Sequence, residues 1–238
     1  MRLDQYLVEN SFYESRNKAK YEIEKGNVLV NNVPILKASF IIKESDTINV
    51  IKENELKYVS KGGLKLERAI DYYKIDVKDK TCLDIGSSTG GFTDYLIKNG
   101  IKEVYAVDTG TNQLHESLKN NPKVHSLEKT NFLDMDLSMK DSIELIVIDV
   151  SFVKLETILD RVIKEFKNVD VVALIKPQFE LGKTYIKNGV VKDPKLHKMV
   201  IDNIILYLNS FNVSPREVID SPILGGSGNK EFLISFKL

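Results

Sequence analysis

CLDIGSSTGGFTDYL, residues 82 to 96, carries three local signals in succession. The apolar run ending at Ile85 reads as a buried strand, Gly86 to Gly91 as a turn, and Phe92, Tyr95 and Leu96 as the apolar face of a helix. A strand that passes through a glycine-rich turn into a helix begins a βαβ unit, and the same alternation continues to the carboxyl terminus. Strand candidates are 81–86, 103–108, 123–127, 144–150, 169–175, 216–220 and 231–236; helix candidates are 63–73, 89–99, 112–119, 154–166 and 194–210. ELIVIDV (144–150) and DVVALI (170–175) are apolar on both alternations, as strands covered on both faces of a parallel sheet must be. The pattern predicts an α/β, doubly wound domain.

The chain has 238 residues, of which 42% are hydrophobic and 29% charged, enough for one large domain with a small companion. No apolar stretch approaches the ~20 residues needed to cross a bilayer, and MRLDQYLVENSF carries Asp4 and Glu9 where a secretory signal is uncharged, so a cytoplasmic protein is expected. Cys82, alone and within an apolar run, excludes an internal disulfide. The formal net charge of zero gives no compositional argument for nucleic acid, which must rest on local clusters.

Ahead of the α/β pattern, residues 2–9 and 15–25 read as helices, and Val28, Val30, Val33 and Ile35 alternate around an Asn31-Asn32 corner, with Ile48 and Val50 closing a small sheet. Arg2, Arg16, Lys18 and Lys20 fall near the helix starts, where phosphates are well held; a solvated face balanced by Glu9, Glu14, Glu22 and Glu24 explains the same charges. IKENELKYVS, residues 51 to 60, is the linker candidate. The order of Arg2-Leu3-Asp4, Ser15-Arg16, GNVLVNN and DTINV closely resembles the S4 RNA-binding domain. That resemblance implies a small α+β module over 1–56, a linker at 57–63, and a surface of Arg2, Arg16, Asn17, Lys20 and Lys37 facing structured RNA.

In a doubly wound sheet the Gly86 turn lies at the carboxyl end of its strand, where ligands bind. Its spacing departs from Gly-x-Gly-x-x-Gly, which disfavours a dinucleotide. The next strand ends in Asp108, a carboxylate placed to accept from two ribose hydroxyls; alternatively Asp84 and Asp108 merely terminate strands. Asp84-x-Gly86 with Asp108 resembles the S-adenosylmethionine-dependent methyltransferases of the Rossmann-like class. The resemblance implies a mostly parallel seven-stranded sheet over 64–238 and a cofactor site of Asp84, Gly86, Ser87, Ser88, Thr89, Gly90, Gly91, Phe92, Asp108, Asn131 and Phe132, with Asp134 as a substitute beside the adenine.

Two apolar runs end in opposite charges, Ile148 leading to Asp149 and Ile175 to Lys176, with Pro177 stopping the second. A lysine stripped of water and crowded by another cation is expected to lose its proton more readily and to act as a base; a lysine snorkelling from a strand end into solvent is the plainer account. Lys65, Asp149, Lys176 and Glu231, in that order, match the Lys-Asp-Lys-Glu tetrad of FtsJ-type ribose 2′-O-methyltransferases. With SKGGLKL, DIGSSTGGFTD, DVSF and KPQFE, the whole chain resembles the haemolysin A (TlyA) family. The resemblance implies 2′-O-methylation of cytidine in ribosomal RNA, with Lys176 as base, Asp149 orienting it, Lys65 steadying the oxyanion and Glu231 positioning Lys65 or the sugar. Ser151, Phe152, Gln178, Phe179 and Glu180 are expected at the substrate mouth, where an aromatic either stacks on an extruded base or packs in the core. His115, His125 and His197 lack metal-ligand spacing, so no metal is expected. The alternatives are a non-catalytic RNA-binding or ribosome-assembly factor, a membrane-lytic protein, for which no cationic amphipathic helix stands out, and a dehydrogenase, which leaves the amino-terminal module and paired lysines unexplained.

Overall fold

The computed structural model describes residues 1–24, 26–51, 57–186 and 189–238, without the side chain of Lys183. The chain forms two compact units, Met1–Leu56 with Gly225–Gly228, and Lys57–Leu224 with Asn229–Leu238. In the smaller unit, helices α1 (Leu3–Glu9) and α2 (Arg16–Glu24) accompany an antiparallel sheet of β1 (Val28–Val30), β2 (Val33–Pro34) and β3 (Ile48–Val50), ordered β2-β1-β3. Val30 pairs directly with Val33 across Asn31 and Asn32, whose φ of 52° and 64° form the primed hairpin turn that matches strand twist. Leu3, Leu7, Ala19, Ile23, Val28 and Val30 make the core. Val33 is 59% exposed, because β2 is a two-residue edge strand, both of whose residues lie open to solvent.

The larger unit holds β4 (Thr81–Ile85), β5 (Glu103–Val107), β6 (Val124–Leu127), β7 (Leu145–Ile148), β8 (Asp170–Ile175), β9 (Ile219–Asp220) and β10 (Phe232–Lys237) in one sheet, ordered β6-β5-β4-β7-β8-β10-β9. The first five are parallel, and β10 runs antiparallel to both β8 and β9. Its helices are α3 (Gly62–Tyr73), α4 (Gly91–Lys98), α5 (Glu116–Lys119), α6 (Leu155–Glu165), α7 (Pro177–Glu180) and α8 (Pro194–Ser210). Alternate strand residues enter two separate cores: Leu83, Ile146 and Val171 join Leu159 and Ile204, whereas Cys82, Val147 and Val172 join Leu66, Phe92 and Leu118. The sheet is therefore covered on both faces, and chain order reverses on either side of β4, leaving a crevice beyond the carboxyl ends of β4 and β7.

All seven expected strands form, although 216–220 pairs only at Ile219 and Asp220. The helix expected at 112–119 shrinks to Glu116–Lys119, since the Glu128 carboxylate accepts the Gln113 and Leu114 amides and relieves them of any need for helical partners. Of the linker candidate, residues 52–56 lie outside the described residues. Beyond them Tyr58 is buried against Tyr95 and the Val59 amide donates to Asp94, so this stretch is packed onto the larger unit.

Candidate active site

The glycine turn is shaped by its neighbour strand. Gly86 has φ of 87°, and a Cβ there would lie 2.7 Å from the Asp149 carbonyl oxygen, so only glycine lets the turn close onto the end of β7. Gly90 caps α4 with φ of 95°. Between them Ser87 is buried and Ser88 exposed, its amide donating to Asp108 Oδ2 at 2.9 Å; the Gly110 amide donates to Asp108 Oδ1 at 2.7 Å. These amides orient the Asp108 carboxylate at the tip of β5. Asp84, fully buried, accepts from Thr93 Oγ1 at 2.7 Å through Oδ2, while its Oδ1 has no donor among the described residues. Burial pushes its carboxyl up to about 7, against the pull of Thr93. Thr89 is half-buried, and Gly91 and Phe92 are buried as α4 begins. Asn131 is exposed and bonded to Asp134 at 2.7 Å. Phe132 has its ring in the core, 5.2 Å from the Arg161 guanidinium, so its side chain is committed to packing.

Lys176 closes β8 in extended conformation, as the following proline requires, and Pro177 occupies the first position of α7, where an amide donor is dispensable. Register sets Ile148 beside Ala173, which brings Asp149 and Lys176 to the same rim. Lys176 Nζ lies 2.6 Å from Asp149 Oδ1, 3.0 Å from Ser151 Oγ and 5.8 Å from the Phe179 ring centre. Lys65, from the first turn of α3, sends Nζ to within 2.6 Å of Glu231 Oε2, and the other Glu231 oxygen accepts from Gln178 Nε2 at 3.4 Å. Lys65, Lys176 and Glu231 are 8%, 8% and 2% exposed, which removes the snorkelling account of Lys176.

The four charges alternate. Burial opposes ionisation of Asp149, but Lys176 and Lys65 hold it below the usual carboxylate range. Burial likewise opposes the charge on Lys65, yet Asp149 and Glu231 keep its ammonium above the ordinary lysine value. The sequence anticipated an amine crowded by another cation; each of the two lysines also has a carboxylate of its own, and removing one partner from such a buried pair costs about 3–5 kcal/mol.

One residue expected at the mouth, Glu180 at the end of α7, is engaged elsewhere. Glu180 accepts the Leu155 amide at 2.9 Å and so caps α6, leaving Ser151, Phe152, Gln178 and Phe179 on the site side of that bond. Phe152 is 91% exposed with φ of 65°, its ring 4.9 Å from that of Phe179, so it is no core aromatic. Asn229 went unnoticed in the sequence: buried two residues before Glu231, it accepts the Val191 amide and donates to the Gly189 carbonyl. A lone asparagine among glycines gives no periodic signal.

In the smaller unit Asp4 gathers Arg2 and Arg16 at 2.9 and 2.8 Å, and hydrogen bonding to Arg2 lowers its carboxyl to about 2. Arg2, Lys20 and Lys37 line one hollow of about 360 Å³ with Asp4 and Glu24; Arg16 reaches it only through Asp4, and Asn17 is exposed on α2 outside the lining. Among the described residues no group of His, Cys, Asp or Glu is placed to hold a metal ion, and no helix is long and apolar enough to cross a membrane.

Comparison with known proteins agrees with this geometry. The FtsJ-like methyltransferase family matches residues 58–238 and the S4 domain matches residues 1–48. Hemolysin A of Brachyspira hyodysenteriae is 42% identical over 99% of both chains, and the 16S/23S rRNA (cytidine-2′-O)-methyltransferase TlyA of Mycobacterium tuberculosis is 34% identical over 98% of this chain and 88% of that one. A candidate hemolysin from Streptococcus thermophilus superposes with a TM-score of 0.76 at 37% identity, covering 99% of this chain and 87% of its own. The chain belongs to the FtsJ-like methyltransferase family and carries an S4 domain ahead of the catalytic fold.

Proposed function

We propose that this protein methylates the ribose 2′-hydroxyl of a cytidine in ribosomal RNA, using S-adenosylmethionine and working on ribosomal subunits or their RNA in the cytoplasm. The observation that carries this reading is the buried Lys176–Asp149 contact of 2.6 Å at the rim shared by β7 and β8, next to the Gly86 turn.

The residues fit the cofactor. The unpartnered Asp84 Oδ1 is a buried acceptor suited to a cationic ligand, and Asp108, held by two amides, retains lone pairs for ribose hydroxyls. Gly86, Ser87, Ser88, Thr89, Gly90, Gly91 and Phe92 form the turn around it, with Asn131, Asp134 and the backbone of Phe132 toward the adenine. When bound there, S-adenosylmethionine supplies a methyl carbon made electrophilic by its sulfonium. Lys176, in its neutral form, takes the hydroxyl proton, and Asp149 stabilises the ammonium that results. Lys65, anchored by Glu231, lies close enough to Asp149 to add positive potential where the sugar oxygen gains charge. Phe152, exposed beside Phe179, offers a ring on which an extruded base can stack.

Residues 1–56 serve in this reading as the RNA-binding module, 57–63 as the linker and 64–238 as the methyltransferase. Arg2, Lys20 and Lys37 around the hollow, with Arg16 and Asn17 on the same module, are the side chains we assign to phosphate, since basic groups neutralise backbone charge without reading sequence. Nucleoside mass spectrometry of ribosomal subunits incubated with protein and labelled donor tests the proposal: 2′-O-methylcytidine is the expected product. Lys176→Ala should lower its formation by at least about a hundredfold with little change in cofactor affinity. RNA binding without label transfer would leave an assembly factor instead.

A further inference from the structure

We propose that Ser151 is a positioning residue that aims the Lys176 amine at the substrate hydroxyl. This rests on the methyltransferase reading above and extends it to a side chain outside the tetrad. The valence of nitrogen sets the constraint. An ammonium has three N–H directions; Ser151 Oγ accepts along one at 3.0 Å, while Asp149 Oδ1 lies 2.6 Å from Nζ as an ion pair without hydrogen-bond geometry. The hydrogen bond to Ser151 and the charge of Asp149 together leave one favoured direction for the incoming ribose oxygen.

The same geometry serves the neutral amine. One N–H stays on Ser151 Oγ and the Asp149 carboxylate repels the lone pair, so the lone pair takes the remaining direction. Asp149 alone leaves the amine free to rotate about the Cε–Nζ bond, sweeping the lone pair around a cone; Ser151 stops that rotation. The 2′-hydroxyl proton then passes to Nζ while the oxygen bonds the donor's methyl carbon and sulfur keeps the electrons of the bond it loses.

The backbone supports the assignment. Phe152, immediately after Ser151, has φ of 65°, a conformation costly for a bulky residue and retained where the surrounding structure demands it. Asp149 and Ser151 thus reach the same amine from one turn, although strand alternation would send side chains two apart to the same face only while the strand continued, and β7 ends at Ile148.

The test compares wild type, Ser151→Ala and Ser151→Thr in single-turnover methylation of ribosomal subunits. Ser151→Ala should slow the step about tenfold or more at saturating RNA, with KM within about twofold, because misalignment affects the reacting geometry and leaves binding intact. Ser151→Thr keeps the hydroxyl and should recover most of the rate. A second readout needs no reaction: in the free protein, hydrogen exchange of the Lys176 ammonium, followed by 15N-lysine NMR, should quicken in Ser151→Ala and stay near wild type in Ser151→Thr. An unchanged rate in Ser151→Ala with wild-type exchange overturns the inference alone. A loss confined to KM overturns it in favour of a surface contact with RNA. A wild-type protein that transfers no methyl group to subunits overturns both this assignment and the function beneath it.

Discussion

Asp84 has its chemistry altered by its surroundings. Its carboxyl titrates near 7 in the folded chain against 3.8 for an ordinary aspartate, so the folded state keeps a proton that the unfolded state releases. The stability contributed by that proton is fully present below about pH 4 and declines as pH rises through about 7. Urea unfolding measured across that range should therefore show a downward trend that Asp84→Asn flattens, since the amide is neutral throughout. Glu231 behaves differently, because its worth lies in its partner. Truncating it to alanine strands Lys65 in a site 8% exposed, and chemical denaturation should register a loss of about 3–5 kcal/mol. A Glu231→Ala protein as stable as wild type would mean that Asp149 alone compensates Lys65.

At the scale of elements, the site depends on how closely β4 and β7 end together. Gly86→Ala adds a methyl group that meets the Asp149 carbonyl at 2.7 Å in a backbone conformation already unfavourable for alanine. We expect a loss of about 1–3 kcal/mol by thermal or urea unfolding, and weaker cofactor binding by calorimetry, because the carbonyl that must move belongs to the residue holding Lys176. Full cofactor affinity in a destabilised Gly86→Ala protein would separate the turn's structural role from ligand binding. The brief helix α7 has a related job: Pro177 ends β8 cleanly, and the Glu180 carboxylate three residues on ties α7 to the start of α6. The short segment that supplies Lys176 is thereby fixed at both of its ends.

At the scale of the whole molecule, the S4 domain and the methyltransferase fold lie in units with separate cores. Replacing Arg2, Lys20 and Lys37 together with glutamine should raise KM for ribosomal RNA and flatten its salt dependence by about one unit of slope for each phosphate left unneutralised, while kcat stays near wild type. Filter binding over a salt series checks this; an unchanged slope would place the RNA-facing surface elsewhere. The sequence, read by itself, determined the elements: continuously apolar runs such as LIVI and DVVALI, the asparagine hairpin, the strand ending at Lys176 before Pro177, and the Asp84-x-Gly86 turn all follow from local sterics and burial. Glycine turns, prolines and alternation act over a few residues, which is why they are visible along the chain. Only the tertiary structure decided which charge meets which, because Lys65 and Glu231 are 166 positions apart and become partners once β10 lies beside β8. The same sheet order set Ser151 against Lys176, gave Lys65 and Lys176 a carboxylate each, and sent the Phe132 ring into the core. Such pairings come from register and strand order, which depend on the packing of the entire sheet and leave no periodic trace in the sequence.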